Sequence, residues 1–477
     1  MRKLLRETEF DLIVIGGGTA GIPIAICAAD RGANVLIVEK AHQVGGTLFM
    51  SHGEMAAANT VFQKAQNIDD SSQLFYDDIM RINKGTSDPA LTRLWADYGG
   101  ETIDWLAKNG FKTAQGTPVR GKSYDPFETA RYLWGDAQGI SILNVLQPML
   151  ARHVGRGNIK VLVSTEVTDL IRDRAGEVRG IVAKSDDGVR LDLKGRNTVI
   201  ATGGCAANPS MYENLHGVPL YSRLAYPYSQ GDGLTLGLSA DGFLRGAENY
   251  ISSFGSVTAD NRIPSALYAT LDLNSTERLP WEVFVNAAGK RFVQEDHPSV
   301  GHRARALDRQ PGHRCWVIFD QSVLEQAPSI LPKWPKDRIE QEFHSHPMFF
   351  RAASLAELGG KAGIHPANLR QSIENYNSGI RRRNPDQFGR VHRPSMINSP
   401  PFYAIQSQGW TLKSFAGLAV DRNLQVLSTT GKPIGNLYAA GEVLGGGSTG
   451  GKAFTNGSNV TPALTFGRLL GRKILVF

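Results

Sequence analysis

The strongest constraint on this chain is one run near its start. Phe10-Asp11-Leu12-Ile13-Val14-Ile15 reads as a short buried strand and passes directly into Gly16-Gly17-Gly18-Thr19-Ala20-Gly21. Gly16, Gly18 and Gly21 keep the G-x-G-x-x-G spacing, and the small and apolar side chains of 22–30 predict a packed helix stopped by Gly32. Residues 34–38 predict a second strand, closed by Glu39. This order suits a dinucleotide: the first glycine allows the turn, the second admits a pyrophosphate, and the third packs helix on strand. The helix start offers unpaired N–H groups to the phosphates. An acid at Glu39 accepts hydrogen bonds from an unphosphorylated ribose.

The motif alone does not separate FAD from NAD; the stretch after the second strand does so better. Glu39-Lys40-Ala41-His42-Gln43-Val44-Gly45-Gly46-Thr47 is a loop with paired glycines, leading into Ser51-His52-Gly53-Glu54-Met55-Ala56-Ala57-Ala58. An NAD domain would usually begin another helix after the acid. A small-residue stretch suits backbone laid along a longer cofactor, and FAD is long enough to need it.

These segments resemble the FAD-binding domain of the fumarate reductase and succinate dehydrogenase flavoprotein family, which includes ketosteroid and tricarballylate dehydrogenases. The resemblance continues through ATGG at 201–204, GDG at 231–233, GKRFVQE at 289–295, NLYAAGEVLGG at 436–446 and GSNVTPALTFGR at 457–468. It implies an α/β fold: a Rossmann-type FAD-binding domain with an inserted α+β capping domain. The expected boundaries are 1–245 for the first part of the FAD domain, 246–393 for the cap and 394–477 for the return.

By the same resemblance Gly16, Gly18 and Gly21 surround the pyrophosphate and Glu39 meets the adenosine ribose. Gly45, Gly46 and Thr47 pass near the flavin, and Glu442 contacts the ribityl or phosphate region. Ser458, Asn459 and Val460 start the last helix beside the pyrimidine end, where its N–H groups would stabilise reduced flavin. A plain helix cap accounts for Ser458 or Asn459 equally well. The cofactor set also takes in Thr19, Ala20, Lys40, Ser51, Gly53, Val167, Ala201, Thr202, Gly203, Gly204, Asp232 and Gly441. Asp232 could equally cap its own helix. Covalent relatives carry a histidine where Thr47 stands here, so non-covalent FAD is implied.

The expected reaction is hydride exchange between a substrate carbon and flavin N5, forming or reducing a C–C double bond beside a ketone or carboxylate. Dehydrogenation is the leading reading, enoate reduction the alternative, and a non-catalytic structural or sensory flavoprotein the third. The fumarate-specific pattern is incomplete. No arginine follows shortly after Glu295, although Arg303 comes later. The stretch where a histidine is expected reads Trp410-Thr411-Leu412-Lys413, and the arginine-bearing stretch reads Gly450-Gly451-Lys452. Lys413 and Lys452 could jointly bind a carboxylate or polarise a carbonyl as point charges, or be surface lysines. His297 could accept a proton, or be loop surface. Tyr403 and Tyr268 could act as acid or base on a ketone, or simply pack.

Between the motifs, helices are expected in 70–112 and 139–154, and strands at 160–164, 166–174, 177–185, 189–194 and 199–202. The cap is expected to hold strands at 281–286 and 314–319 and helices at 351–358 and 366–380.

A net charge of +7 attracts small anions without arguing for nucleic acid. The Arg381-Arg382-Arg383 run has no aromatic platform interleaved with it. Cys27, Cys205 and Cys315 fit neither a zinc pattern nor a disulfide scaffold. Arg2, Lys3 and Arg6 are soon followed by Glu7, Glu9 and Asp11, unlike a secretory signal. No apolar run reaches the length of a membrane span. A cytoplasmic enzyme with an external electron partner and no metal is expected; oligomeric state is not readable.

Overall fold

The computed structural model describes residues 9–122 and 124–476, so the basic residues Arg2, Lys3 and Arg6, with Glu7, lie outside the described residues. The first strand, Glu9–Ile15, pairs in parallel with Val35–Val38 on one side and with Arg190–Ile200 on the other. Ile159–Leu162 and Pro433–Ala439 extend the parallel sheet outward, and Gln425–Leu427 closes one edge antiparallel. Val35–Val38 is buried at every position, as a strand covered on both faces must be. The parallel strands finish together at Ile15, Val38, Ile200 and Ala439. Their following loops therefore meet along one edge, where doubly wound sheets bind ligands.

Arg190–Ile200 is one strand where two were expected. Its first half alternates exposed and buried while pairing antiparallel with Val178–Ser185, and its last four residues are wholly buried in the parallel sheet. Gly195 does not mark a turn: a side-chain carbon there would fall 2.8 Å from Ile13, so it lets the strands sit close. The hairpin partners Thr165–Arg172 and Val178–Ser185 follow the expected turns.

The helix Gly21–Ala29 is buried all round. The helix Pro89–Lys108 is capped by Asp88, which accepts from the Ala90 and Leu91 amides. Its buried Trp95 donates to the Ala56 carbonyl at 3.0 Å, holding the small-residue stretch in place.

The second layer is a six-stranded antiparallel sheet with Phe402–Trp410 at its centre, flanked by Ser253–Thr258, Arg314–Asp320 and Phe349–Ala352. Val317 and Phe319 fill one side of this sheet, Trp316 and Ile318 the other. The expected return at 394 is corrected, because Phe402–Trp410 makes a full ladder with Arg314–Asp320. The cap sheet thus runs to Trp410, and the chain re-enters the first domain where Gly417–Leu418 pairs with Leu244–Arg245. The helix expected from 351 begins at Leu355 behind its Ser354 cap, and Phe349–Ala352 before it is strand. Within the cap, the family-like segment at 289–295 is a buried ionic node: Arg291 pairs with Glu295 and Asp386, each at 2.6 Å. Among the described residues no helix is long and apolar enough to cross a membrane.

Candidate cofactor cleft and active site

The glycine loop is sterically committed. A side-chain carbon on Gly21 would fall 1.9 Å from the Gly16 carbonyl oxygen. The second glycine loop lies alongside: the Gly45 amide donates to the Gly17 carbonyl at 2.8 Å, and the Thr19 and Thr47 hydroxyls lie 3.4 Å apart. Buried Glu39 accepts from the Gly17 and Ala41 amides, both at 2.7 Å. Burial pushes its carboxyl up while these amides oppose the shift. Thr165 donates to the Glu39 carbonyl at 3.0 Å, bringing the strand that buries Val167 beside the acid. Burial alone would lower the Lys40 ammonium, but Glu166 at 2.7 Å and Asp232 at 3.0 Å hold it charged and raise it.

Asp232 is therefore not a helix cap; Gly231 occupies the cap position and Asp232 ties the two loops through Lys40. Ala201 donates to the Ile15 carbonyl at 2.8 Å, aligning 201–204 with the first loop. Gly53 donates to the Ser51 hydroxyl at 3.0 Å and is buried.

Glu442, just after Gly441, joins three loops. Its Oε1 accepts from the Ser414 amide at 3.0 Å and hydroxyl at 3.4 Å, and the same hydroxyl accepts from the Cys205 amide at 3.1 Å. A side-chain carbon on Gly204 would fall 1.9 Å from the Ser414 hydroxyl, so this junction admits only glycine. Burial pushes the Glu442 carboxyl up, opposed by Ser414 and Lys413, and burial pushes the Cys205 thiol up to about 12.

Lys413 is 8% exposed, with its ammonium 3.4 Å from Asn459 Oδ1 and over the rings of Phe415 and Phe454 at 5.3 and 5.9 Å. Burial pushes it down to about 8, against the pull of Glu442. Ser458 is buried and Asn459 exposed, and neither side chain caps the last helix, Val460–Leu469. Instead Thr461 Oγ1 accepts from the Ala56 amide at 2.9 Å, seating the helix start on the small-residue stretch. Glu39, both glycine loops and the loop of Gly441 and Glu442 are thus neighbours, with Gly441 set against Ala20. Their backbone donors, acid and excluded side chains fit FAD.

The cap closes this cleft with the helix Val300–Leu307. Ser299 caps it and donates to Asp125 Oδ2 at 2.9 Å, and Arg305 donates to the Lys452 carbonyl at 3.4 Å. The predicted pair of lysines does not form around one group. The Lys452 ammonium donates to the Glu248 carbonyl at 3.4 Å, at the entry to the cap. His297 Nδ1 accepts from the Ser299 amide at 3.0 Å and its ring stacks on His302, so this nitrogen serves the turn before the helix.

Of the two readings open for Tyr403 and Tyr268, acid or base and packing, both side chains take packing positions in the cap. Tyr403 donates to Gln321 at 2.6 Å and stacks on Phe319. It lies seven residues before the end of its strand at Trp410, roughly 23 Å away. Tyr268 donates to Glu342 at 2.6 Å and stacks on His346.

Three groups escaped the sequence reading. His216 Nδ1 donates to the Tyr212 carbonyl at 2.8 Å, while Nε2 accepts from the Phe415 and Ala416 amides at 2.9 and 3.1 Å. Only a neutral imidazole can do both, and burial lowers its pKa accordingly. Tyr124 stacks on Phe454 at 5.1 Å, its hydroxyl pushed up to about 12 by burial and Glu54. Burial and then Glu54 also push the Tyr132 hydroxyl up, so a carboxylate that the glycine and alanine pattern did not advertise acts on both tyrosines.

A family model described as FAD binding domain matches residues 11–458. The fumarate reductase (cytochrome) of Shewanella frigidimarina is 28% identical over 464 residues, covering 97% of this chain and 76% of its own. The vinyl phenol reductase of Lactiplantibacillus plantarum is 26% identical, covering 92% of this chain and 90% of its own. Among solved structures, the 3-ketosteroid Δ4-(5α)-dehydrogenase of Rhodococcus jostii RHA1 superimposes with a TM-score of 0.69 at 22% identity, covering 99% of this chain and 98% of its own.

Proposed function

Because the chain belongs to the FAD binding domain family, we propose that it is an FAD-dependent oxidoreductase that removes hydrogen from a CH–CH bond beside a carboxylate or ketone. Lys413 carries this reading: a buried ammonium stands where the Glu442 junction, the start of the last helix and the aromatic pair Tyr124–Phe454 converge. Bound FAD supplies two-electron hydride chemistry at its flavin ring. The Glu39 carboxylate orients the adenosine ribose, and the amides around Gly18 and Gly21 meet the pyrophosphate. Lys413 neutralises charge on the substrate oxygen conjugated with the reacting bond. Phe454 and Tyr124 offer a flat apolar wall, and the Val300–Leu307 helix covers it and excludes water. FAD is held non-covalently, and its electrons pass to an external acceptor.

A second reading, reduction of an enoate by the same groups, is favoured by the names of the two curated relatives, both reductases. Purified enzyme assayed with dichlorophenolindophenol on saturated acids and ketones, and with reduced methyl viologen on their unsaturated counterparts, separates the directions. Dye reduction with a saturated compound is expected. Turnover in neither assay over a broad series, by protein that retains FAD, would overturn both readings.

A further inference from the structure

Buried arginines among the described residues generally come with carboxylates. Among the described residues the buried arginines Arg131, Arg278, Arg291, Arg390 and Arg468 each have a carboxylate within 4.0 Å. Arg303 is the exception: it is 1% exposed and has no ion pair at that distance. Its Nη1 donates to the Glu295 carbonyl at 3.1 Å, while its buried Nε has no partner. Asp125 and Asp296 act on it only from a distance, and burial pulls the guanidinium down to about 10. A guanidinium withdrawn from water and left unpaired is unfavourable unless something else supplies the charge.

Its position says where that charge enters. Arg303 lies on the cap helix that faces the FAD domain, between Ser299, bound to Asp125, and Arg305, bound to the Lys452 carbonyl. The next residue, Ala304, packs into the core of the FAD domain. Tyr124, adjacent to Asp125, stacks on Phe454, and that ring carries the Lys413 ammonium at 5.9 Å. Among the described residues Lys413 is the other buried cation without a carboxylate within 4.0 Å. The two buried cations without a carboxylate within 4.0 Å thus stand one on the cap helix that packs against the FAD domain and one in the return loop.

We propose that Arg303 is a substrate-binding residue whose Nε edge receives a carboxylate, so that the enzyme selects an anionic acid over a neutral ketone. The proposal rests on the cleft being a flavin-dependent active site. A carboxylate meets the planar fork with two parallel hydrogen bonds, a geometry that Lys413 cannot offer. The acid is thereby anchored from the cap side.

The test uses flavin difference spectra of the holoenzyme, titrated with propionate and cyclohexanecarboxylate against propionamide, cyclohexanecarboxamide and cyclohexanone. The wild type is expected to bind each acid at least about tenfold more tightly than its amide. Arg303→Met should abolish that preference while amide and ketone affinities stay within about twofold, and Arg303→Lys should keep part of it. Equal wild-type affinity for acid and amide overturns the proposal, as does an Arg303→Met holoenzyme that keeps the preference. If Arg303→Met loses FAD, the wild-type comparison and Arg303→Lys decide. Protein whose flavin no probe perturbs overturns the underlying active-site reading instead.

Discussion

Gly46 stands so close to Gly18 that a side-chain carbon on it would fall 3.0 Å from the Gly18 Cα, at a backbone φ of +54°. The two glycine loops are thus fitted to each other before any cofactor is considered. Gly46→Ala meets both a left-handed backbone and this contact, costing about 1–2 kcal/mol locally. It is expected to weaken FAD retention about tenfold with little change in secondary structure. The ratio of flavin to protein absorbance after gel filtration, with circular dichroism, checks this; full retention of FAD by Gly46→Ala would contradict it.

In the role proposed for it, Lys413 sets a pH limit on catalysis. Its ammonium is held down to about 8 by burial, so the charge proposed to meet the substrate oxygen is present below that pH and lost above it. The value of kcat/KM is expected to fall as pH rises through about 8. Lys413→Arg should keep its charge and show no such fall, whatever its absolute rate. Lys413→Met should lose about 10- to 100-fold in kcat/KM with FAD retained. Stability runs the opposite way: the folded pKa lies below the unfolded one, so deprotonation above about 8 favours the folded state.

His216 makes the return loop sensitive to acid. Its folded pKa is lowered, chiefly by burial, so its contribution is complete above the unfolded value near 6.5 and is lost as pH falls through the folded one. Protonation strips the Phe415 and Ala416 amides of their acceptor, each costing about 1–3 kcal/mol if left unpaired. The wild-type melting temperature should drop between pH 7 and 5. His216→Gln should melt lower at pH 7 with a flatter pH profile; parallel profiles would show that another group is responsible.

Much of this arrangement was legible locally. The first strand, its glycine loop and Glu39 are consecutive, so their register is fixed within one segment and the structure follows it. What was hidden depends on partners far away in sequence. Asp232 reads as a helix cap, but Lys40 competes for its carboxylate and wins by ion pairing. Residues after 393 read as the return to the FAD domain, yet Phe402–Trp410 stays in the cap because three cap strands offer it hydrogen bonds. Ser414 has no motif at all, and it matters only because Cys205 and Glu442 arrive beside it. Arg303 was visible as a residue, but its lack of a buried counter-charge is a property of the fold alone.

The hydroxyls of Tyr403 and Tyr268 separate packing from chemistry. A tyrosine that exchanges a proton with a ketone substrate must reach it, whereas these two donate to Gln321 and Glu342 inside the cap. Tyr403→Phe and Tyr268→Phe should each leave kcat/KM within about twofold of wild type, with the buried Tyr403 variant losing about 1 kcal/mol of stability. Denaturant unfolding together with steady-state kinetics reads both quantities. A rate loss beyond about tenfold in Tyr403→Phe, with stability intact, would require a cap motion that carries the hydroxyl to the flavin and would return it to the acid–base role.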